Sequence, residues 1–403
     1  MTKKTRSDDD LFQDLAAATG GEVLGEIDTV AYFVDTGNLA LNYACSGKFI
    51  GGGLPGGRLT EIYGPSASSK SLIGTNVLFG CQRINGVPII LDTENAVNKD
   101  FVQRASHCNL AQIVRYTPQT LETTFAKIYK AVEHIRSHAK YKDSPIVIVF
   151  DSITVCPSER ELREIDLPEN YTEADFKRIV KQHEQPGERA RICSREFRKL
   201  NTVMEKTGVT VVIMNQIRKK IGVMYGPDTT TGGGGMALPF YASCRLETRT
   251  TKKIERNLTA KRKKVLGVHV TIKNVKNRTY RPFVQADDVP LFFESGINPV
   301  GGLLTALLDA ERIDGKGGNY FVKEPWAGGQ EVKFKSSMER NEVPMEVVLK
   351  CPALIDAKDE RQIKDYLEPF TGAMTYQPAG DVQETDVGED DEATDLEIDE
   401  QLS

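Results

Sequence analysis

The chain has 403 residues with 52 basic and 57 acidic side chains, a formal net charge of −5, and 39% of its residues are apolar. That apolar content over this length supports at least one sizeable core and excludes a globally unfolded or fibrous chain. Charge is unevenly laid out: from Asp365 onward there are 13 acidic and no basic residues, leaving 52 basic against 44 acidic groups in residues 1–364. No apolar run approaches the roughly 20 residues that span a bilayer. The N-terminal MTKKTRSDDDLFQDLAAATGGE also lacks a long signal-peptide apolar segment, so a soluble intracellular protein with no membrane partner is expected. Seven cysteines form no CxxC pair and read as buried small hydrophobes rather than a disulfide framework.

In chain order, a charged opening dozen gives way to a short helical or mixed lead-in reaching about residue 50. GGGLPGGRL introduces TEIYG, a strand that stops at Gly64, and SLIGTNVLFGCQRI then reads as a helix. VPIILD at 87–92 is the next strand, with a helix from about residue 99 and a longer amphipathic one across 119–139. SPIVIVFD at 144–151 is apolar on both faces, as suits a central strand of a parallel sheet covered by helices on both sides. Charged, aperiodic sequence follows to about Pro186. Residues 189–207 are helix-forming and lead into the core strand GVTVVIMNQ. The 19-residue run IRKKIGVMYGPDTTTGGGG has no apolar period, which inside a domain calls for a functional reason. YASCRLETR, VLGVHVTIKNVKN and YRPFVQ read as strands, residues 297–370 as a smaller α/β domain, and the acidic tail from 371 as disordered.

GPSASSKS at 64–71 lies between a strand and a helix, the setting in which backbone N–H groups and a helix N-terminus wrap phosphate oxygens. Gly64, Pro65, Ser66, Ala67, Ser68 and Ser69 would form the cradle. Lys70 would approach the β and γ phosphates of ATP, and the Ser71 hydroxyl would reach Mg2+. The usual GxxxxGK[ST] pattern has glycine where Ser69 stands, and serine adds bulk at a position that favours unusual dihedrals. Asp151 ends IVIVFD where a carboxylate would hold Mg2+, and Glu94 follows VPIILDT where it would activate the attacking water. Gln216 ends GVTVVIMNQ, placing an amide to sense the γ phosphate and move the loop that follows.

With these motifs in hand, LPGGRLTEIYGPSASSKS, DTENAVN, IVIVFDSI and NQIRKKIGVMYGPDTTTGGGGMALPFYASCRLE resemble, in the same order, the RecA-type homologous recombinases, a family with bacterial and bacteriophage representatives. The resemblance covers roughly residues 45–295. It implies an α/β fold built on a RecA-type P-loop ATPase core, with a mostly parallel central sheet at 46–296, a small N-terminal assembly region at 1–45 and a C-terminal domain at 297–370. It further implies a cytoplasmic protein, of a bacterium or an infected bacterial host, that polymerises into a helical filament on single-stranded DNA with ATP and Mg2+. Such a filament pairs with homologous double-stranded DNA in recombination and repair, and works with a recombination mediator or single-stranded-DNA-binding protein. Phe101 would stack on adenine, while Lys276 and Arg278 in NVKNR would reach the neighbouring subunit's ATP and Phe240 would meet that subunit.

Within the glycine-rich run, Arg218, Lys219 and Lys220 put three positive charges at the loop mouth, and phosphate binding there would release counterions. Thr229 to Thr231 add hydroxyl donors, and Gly232 to Gly235, with Gly232 and Gly233 foremost, would offer open N–H groups to a DNA backbone. Ile221 and Met224 would insert between bases. TKKIERNLTAKRKK at 251–264 reads as either a second duplex-binding surface or a solvated hairpin. Two other functions fit part of this pattern: a noncatalytic or weakly hydrolysing ATP-regulated filament protein, prompted by Ser69, and a RecA-fold helicase. The tail would compete electrostatically with DNA for the basic body or present a partner site.

Overall fold

The computed structural model describes residues 8–24, 30–66, 68–163, 187–219, 229–259, 262–337, 340–374 and 382–386. Residues 1–31 form a unit of their own, separate from 32–403. Within that first unit, helix α1 (Asp8–Thr19) leaves Leu11, Phe12 and Leu15 exposed. Residues 32–45 group with the larger unit. There, α2 (Leu39–Ser46) buries Leu39, Ala40 and Leu41 completely and so belongs to the core.

In the larger unit, β1 (Phe33–Val34) pairs with β2 (Leu54–Pro55). The main sheet uses β3 (Leu59–Gly64), β4 (Val87–Asp92), β5 (Val114–Tyr116), β6 (Ile146–Asp151) and β7 (Thr210–Lys219). It continues through β9 (Cys244–Thr259), β10 (Arg262–Asn277), β11 (Gln285–Phe292) and β12 (Gly296–Ile297), while β8 (Thr229–Thr231) pairs only with β7. Spatial order is β12-β11-β10-β9-β3-β7-β6-β4-β5, parallel from β9 through β5 and antiparallel from β9 to β12.

Alternation along the central strands explains why they are apolar on both faces. Ile146, Ile148 and Phe150 join one apolar cluster with Phe125 of α5 (Leu121–Ser137) and Phe197 of the long helix Glu188–Thr207. Val147 and Val149 point the other way, into a second cluster with Ile73 and Val77 of α3 (Lys70–Arg83). Successive strand side chains face opposite sides, so one parallel strand feeds both cores. Phe125 and Phe197 meet edge to face with centroids 5.4 Å apart, and truncating such a ring to Ala costs about 3–5 kcal/mol.

Residues 297–370 include an antiparallel sheet of β13 (Ile313–Lys316), β14 (Asn319–Val322) and β15 (Lys333–Lys335). Their apolar residues, among them Leu307, Tyr320, Val348 and Ile363, share the second cluster with the main sheet. Two expectations change. YRPFVQ is not a strand: Phe283 sits at φ 69 beside Pro282, and β11 begins only at Gln285. The tail is not wholly without structure, because Thr371–Met374 is helical and β16 (Val382–Asp386) pairs antiparallel with β9. β3 ends opposite Glu247, which leaves the β9 edge at 252–256 open to another strand's backbone hydrogen bonds.

Candidate nucleotide and DNA site

Parallel pairing brings the carboxyl ends of four strands level. Gly64 is the register partner of Gln216, and Asp92 that of Asp151. Ligands bind at such strand ends in open α/β sheets. Gly64 has no room for a side chain: a Cβ there would lie 2.4 Å from the Thr248 carbonyl oxygen and 2.7 Å from Ser68 Oγ. Ser68 Oγ in turn lies 2.8 Å from Thr248 Oγ1 and donates to the Pro65 carbonyl, tying the turn to β9. Ala67 lies outside the described residues.

Ser69 precedes α3 at φ 60, ψ 22, the left-handed conformation that glycine would adopt at this position. Lys70 is 9% exposed, and its ammonium donates to the Gly64 carbonyl (3.3 Å), the Pro65 carbonyl (2.5 Å) and Ser68 Oγ (3.2 Å). Burial pushes it down to about 8, opposed by the charges of Asp151 and Glu94. Burial also raises Asp151 to about 6; the Ser71 hydroxyl bonded to it and the Lys70 charge work against that rise. Among the described residues this desolvated ammonium has uncharged oxygens alone as hydrogen-bond partners, a setting that suits an anion. Ser71 Oγ and the Asp151 carboxylate are the hard oxygen donors that suit Mg2+. The residues therefore fit ATP with Mg2+.

Glu94 stands on a turn stitched to β6. Thr93 donates through N to the Asp151 carbonyl (2.9 Å) and through Oγ1 to the Ser152 carbonyl (2.8 Å), and Ser152 Oγ donates to Glu94 Oε1 (2.5 Å). Asp92, 2% exposed, accepts from Arg115 Nη2 at 2.5 Å and from the amides of Ala96 and Val97. Sequence reasoning missed Asp92, Arg115 and Ser152. The acidic end of VPIILD was the available sign of Asp92, whereas Arg115 comes from a strand too short to show a period.

Phe101 lies in the first turn of α4 (Lys99–Ser106), where Asn98 caps the helix by accepting from the Asp100 and Phe101 amides. Its ring is half-buried against the apolar cluster of α3. Lys276 and Arg278 do not converge on the 64–71 loop through any hydrogen bond among the described residues. Lys276 Nζ donates to the carbonyls of Pro239 (2.6 Å) and Phe240 (2.9 Å), and Arg278 Nη2 to that of Phe240 (3.0 Å), at the end of the short helix Ala237–Tyr241. Phe240 itself is 66% exposed and is no core aromatic.

The run after Gln216 starts as a hairpin: Ile217 pairs with Thr231, Arg218 with Thr230 and Lys219 with Thr229. Lys220, Ile221 and Met224 lie outside the described residues. Gly232 donates to the Gln216 carbonyl at 2.7 Å. Neither glycine offers the open N–H expected of it, Gly232 spending its own on Gln216 and Gly233 on Asn215; Gly233 departs furthest. It is buried, its N–H donates to Asn215 Oδ1 (2.9 Å), and a Cβ would strike Ile153 Cγ2 at 2.6 Å. Its amide serves the fold rather than standing open. Of the basic 251–264 segment, residues 251–259 and 262–264 lie on the paired strands β9 and β10, with Lys263 ion-paired to Glu255 at 3.0 Å and Lys264 to Glu294 at 3.3 Å.

Residues 20–298 match the RecA N-terminal domain. The chain belongs to the RecA family. It is 31% identical over 373 residues to Protein RecA of Trichodesmium erythraeum, covering 91% of this chain and 88% of that one. Against Protein RecA of Delftia acidovorans the identity is 33% over 301 residues, covering 74% and 71%. With Protein RecA of Chloroflexus aggregans it is 30% over 367 residues, covering 91% and 90%. RecA-family membership supports a general ATP-dependent recombinase function, and the strand-end cluster is where ATP would sit in this RecA-family chain. Among the described residues no helix is long and apolar enough to cross a membrane.

Proposed function

We propose that this protein is a DNA-stimulated ATPase that polymerises on single-stranded DNA and promotes homologous pairing and strand exchange. The observation carrying the reading is the sheet register that sets Gln216, at the stem of the glycine-rich loop, opposite Gly64, at the start of the 64–71 turn. Nucleotide and loop thereby share neighbouring strand ends.

In this reading ATP with Mg2+ supplies the transferable γ phosphoryl group and an electrophilic centre. Lys70 and the 64–71 amides bind phosphate oxygens, Ser71 and Asp151 hold the metal, and Glu94, fixed by Ser152, takes the proton from water. Gln216 reads the far phosphate, while Arg218, Lys219, Lys220, Ile221, Met224, Thr231 and Gly232 serve DNA. Lys276 and Arg278, with Phe240 exposed beside them, act toward the next subunit of the filament. Ser69 already takes the glycine conformation, which supports phosphate binding under this reading and under the weakly hydrolysing alternative alike, so turnover separates the two. Under the same reading it works in the cytoplasm of a bacterium, or of a bacterial host infected by a bacteriophage that carries it, with a mediator or single-stranded-DNA-binding partner. In domain terms, residues 46–296 would carry catalysis and DNA binding, and 297–370 would be an accessory domain.

The deciding experiment is strand exchange between a circular single strand and a homologous linear duplex, with phosphate release followed in the same reaction. Exchange requiring both ATP and homology, with DNA-stimulated turnover, is expected. Duplex unwinding indifferent to homology would replace this reading with a helicase, and DNA binding without turnover would replace it with a filament protein only.

A further inference from the structure

Directly before Gln216, Asn215 is fully buried and uses both ends of its carboxamide. Nδ2 donates to Glu61 Oε1 (2.8 Å) and to the Gly233 carbonyl (3.0 Å), both pure acceptors. Oδ1 accepts from the Gly233 amide (2.9 Å) and from Thr154 Oγ1 (3.0 Å). These partners dictate which way the amide faces. Glu61, also fully buried, is anchored by Arg245 Nε at 2.5 Å on its other oxygen, and the Arg245 guanidinium lies over the Tyr63 ring, 4.7 Å from its centroid.

β3, β6 and β7 of the site meet β9 here. Glu61 is on β3, three residues before Gly64; Thr154 follows the β6 end that carries Asp151; Arg245 is on β9, opposite Lys276 in register. Gly233 closes the far end of the glycine-rich run. Asn215 thus holds Gly233 by both its N–H and its C=O while covalently joined to Gln216, so the two ends of residues 216–233 are tied at one side chain.

We infer that Asn215, oriented by the Glu61–Arg245 pair, is a positioning residue that makes the far stem of the loop follow Gln216. This rests on the reading of Gln216 and the loop given above and assigns the part that couples them. A shift of Gln216 toward a phosphate carries Gly233 with it most tightly while the double hydrogen bond survives; without it, the Gly232 amide on the Gln216 carbonyl remains as the neighbouring tie. Broken, the loop keeps its sequence and charge, but Gly233 loses both of its hydrogen bonds to Asn215 and its far end follows the nucleotide less closely.

The test compares Asn215→Asp and Glu61→Gln with the wild-type full chain. It measures single-stranded DNA affinity with and without a nonhydrolysable ATP analogue, and analogue affinity without DNA. Analogue affinity is expected to stay within threefold, while the analogue-induced gain in DNA affinity falls at least tenfold in Asn215→Asp at pH 8. At pH 6 that variant should recover part of the gain, because its protonated carboxyl can again donate to Glu61; the wild-type ratio should not follow that trend. An unchanged gain in both variants, or equal loss of analogue and DNA binding, overturns the inference. If the variants do not fold, amide exchange in the wild-type protein decides: Gly233 should exchange at least 100-fold more slowly than Gly235, and equal rates overturn the clamp. A wild-type chain whose DNA affinity ignores the analogue would instead sink the recombinase reading, and the Gly233 exchange rate would still test the clamp.

Discussion

Lys70 and Asp151 are driven toward neutrality from opposite directions by the same burial, and each charge partly restores the other. Lys70 falls to about 8, so between there and its ordinary range near 10.5 the unfolded chain holds the extra proton. Stability therefore rises with pH through that window, and the cost of the buried ammonium is fully present below it. Asp151, raised to about 6 from 3.8, holds its extra proton in the folded state, so stability falls as pH rises between those values. Near neutral pH both costs are present, and an anion with Mg2+ would relieve both.

Lys70→Met should therefore stabilise the nucleotide-free protein while removing its function. The desolvation relieved is on the order of 1–3 kcal/mol, read as a melting temperature a few degrees higher at pH 7, with the gain shrinking toward pH 10. Nucleotide affinity should fall roughly 10- to 100-fold, as expected for losing a charged hydrogen-bond donor, and strand exchange should vanish. Undiminished exchange and nucleotide binding would remove Lys70 from the site.

Ser69 allows a finer test. Its backbone already occupies the left-handed region, a strain of about 1–2 kcal/mol for an L-residue. Glycine would relieve that strain but give back roughly 0.4–1 kcal/mol through the freer unfolded chain. Ser69→Gly should leave stability within about 1 kcal/mol of wild type and nucleotide affinity within threefold. Equilibrium titration with a fluorescent ATP analogue checks this. A tenfold gain would mean that the serine side chain obstructs the phosphates.

Much of this architecture is legible in the sequence because its determinants are local. The alternation in IVIVF feeds two cores, and the strand-turn-helix of 59–83 needs only Gly64, a turn and a helix-forming run. Other features depend on contacts between segments far apart in the chain. Nothing near Asn215 announces that Glu61, Thr154 and Gly233 converge on it, and Gly233 looks like an open loop glycine until Ile153 is packed against it. Phe283 takes a left-handed conformation beside Pro282 that ends what looks like a strand in YRPFVQ. The β16 pairing escapes a hydrophobicity reading because it rests on backbone hydrogen bonds at an open edge.

Arg218 tests the DNA reading through charge. Its Cα pairs with that of Thr230 at the stem of the hairpin, beside Lys219 and Lys220 in sequence. Arg218→Ala should weaken single-stranded DNA binding at all sequences alike and lower the slope of log affinity against log salt by about one. Fluorescence anisotropy across a salt series measures both. Superimposable isotherms for variant and wild type would remove this residue from the DNA surface.

The acidic tail gives a last prediction, sharpened by where its strand lies. In β16, Val382 stands opposite Arg256, Thr385 opposite Lys253 and Asp386 opposite Lys252. An acidic stretch of sequence thus pairs along the basic strand residues 252–256, and its charge would oppose a duplex phosphate backbone approaching there. Removing residues 375–403, which spares the Thr371–Met374 turn, should raise duplex DNA affinity, most at low salt where screening is weakest. Glu384→Pro should act in the same direction while keeping nearly all of the tail's charge, since proline cannot donate to the β9 ladder. Equal duplex affinity for wild type and truncation across the salt series would show that the tail does not compete with DNA. A gain on truncation but not in Glu384→Pro would assign the effect to charge alone and not to the paired strand.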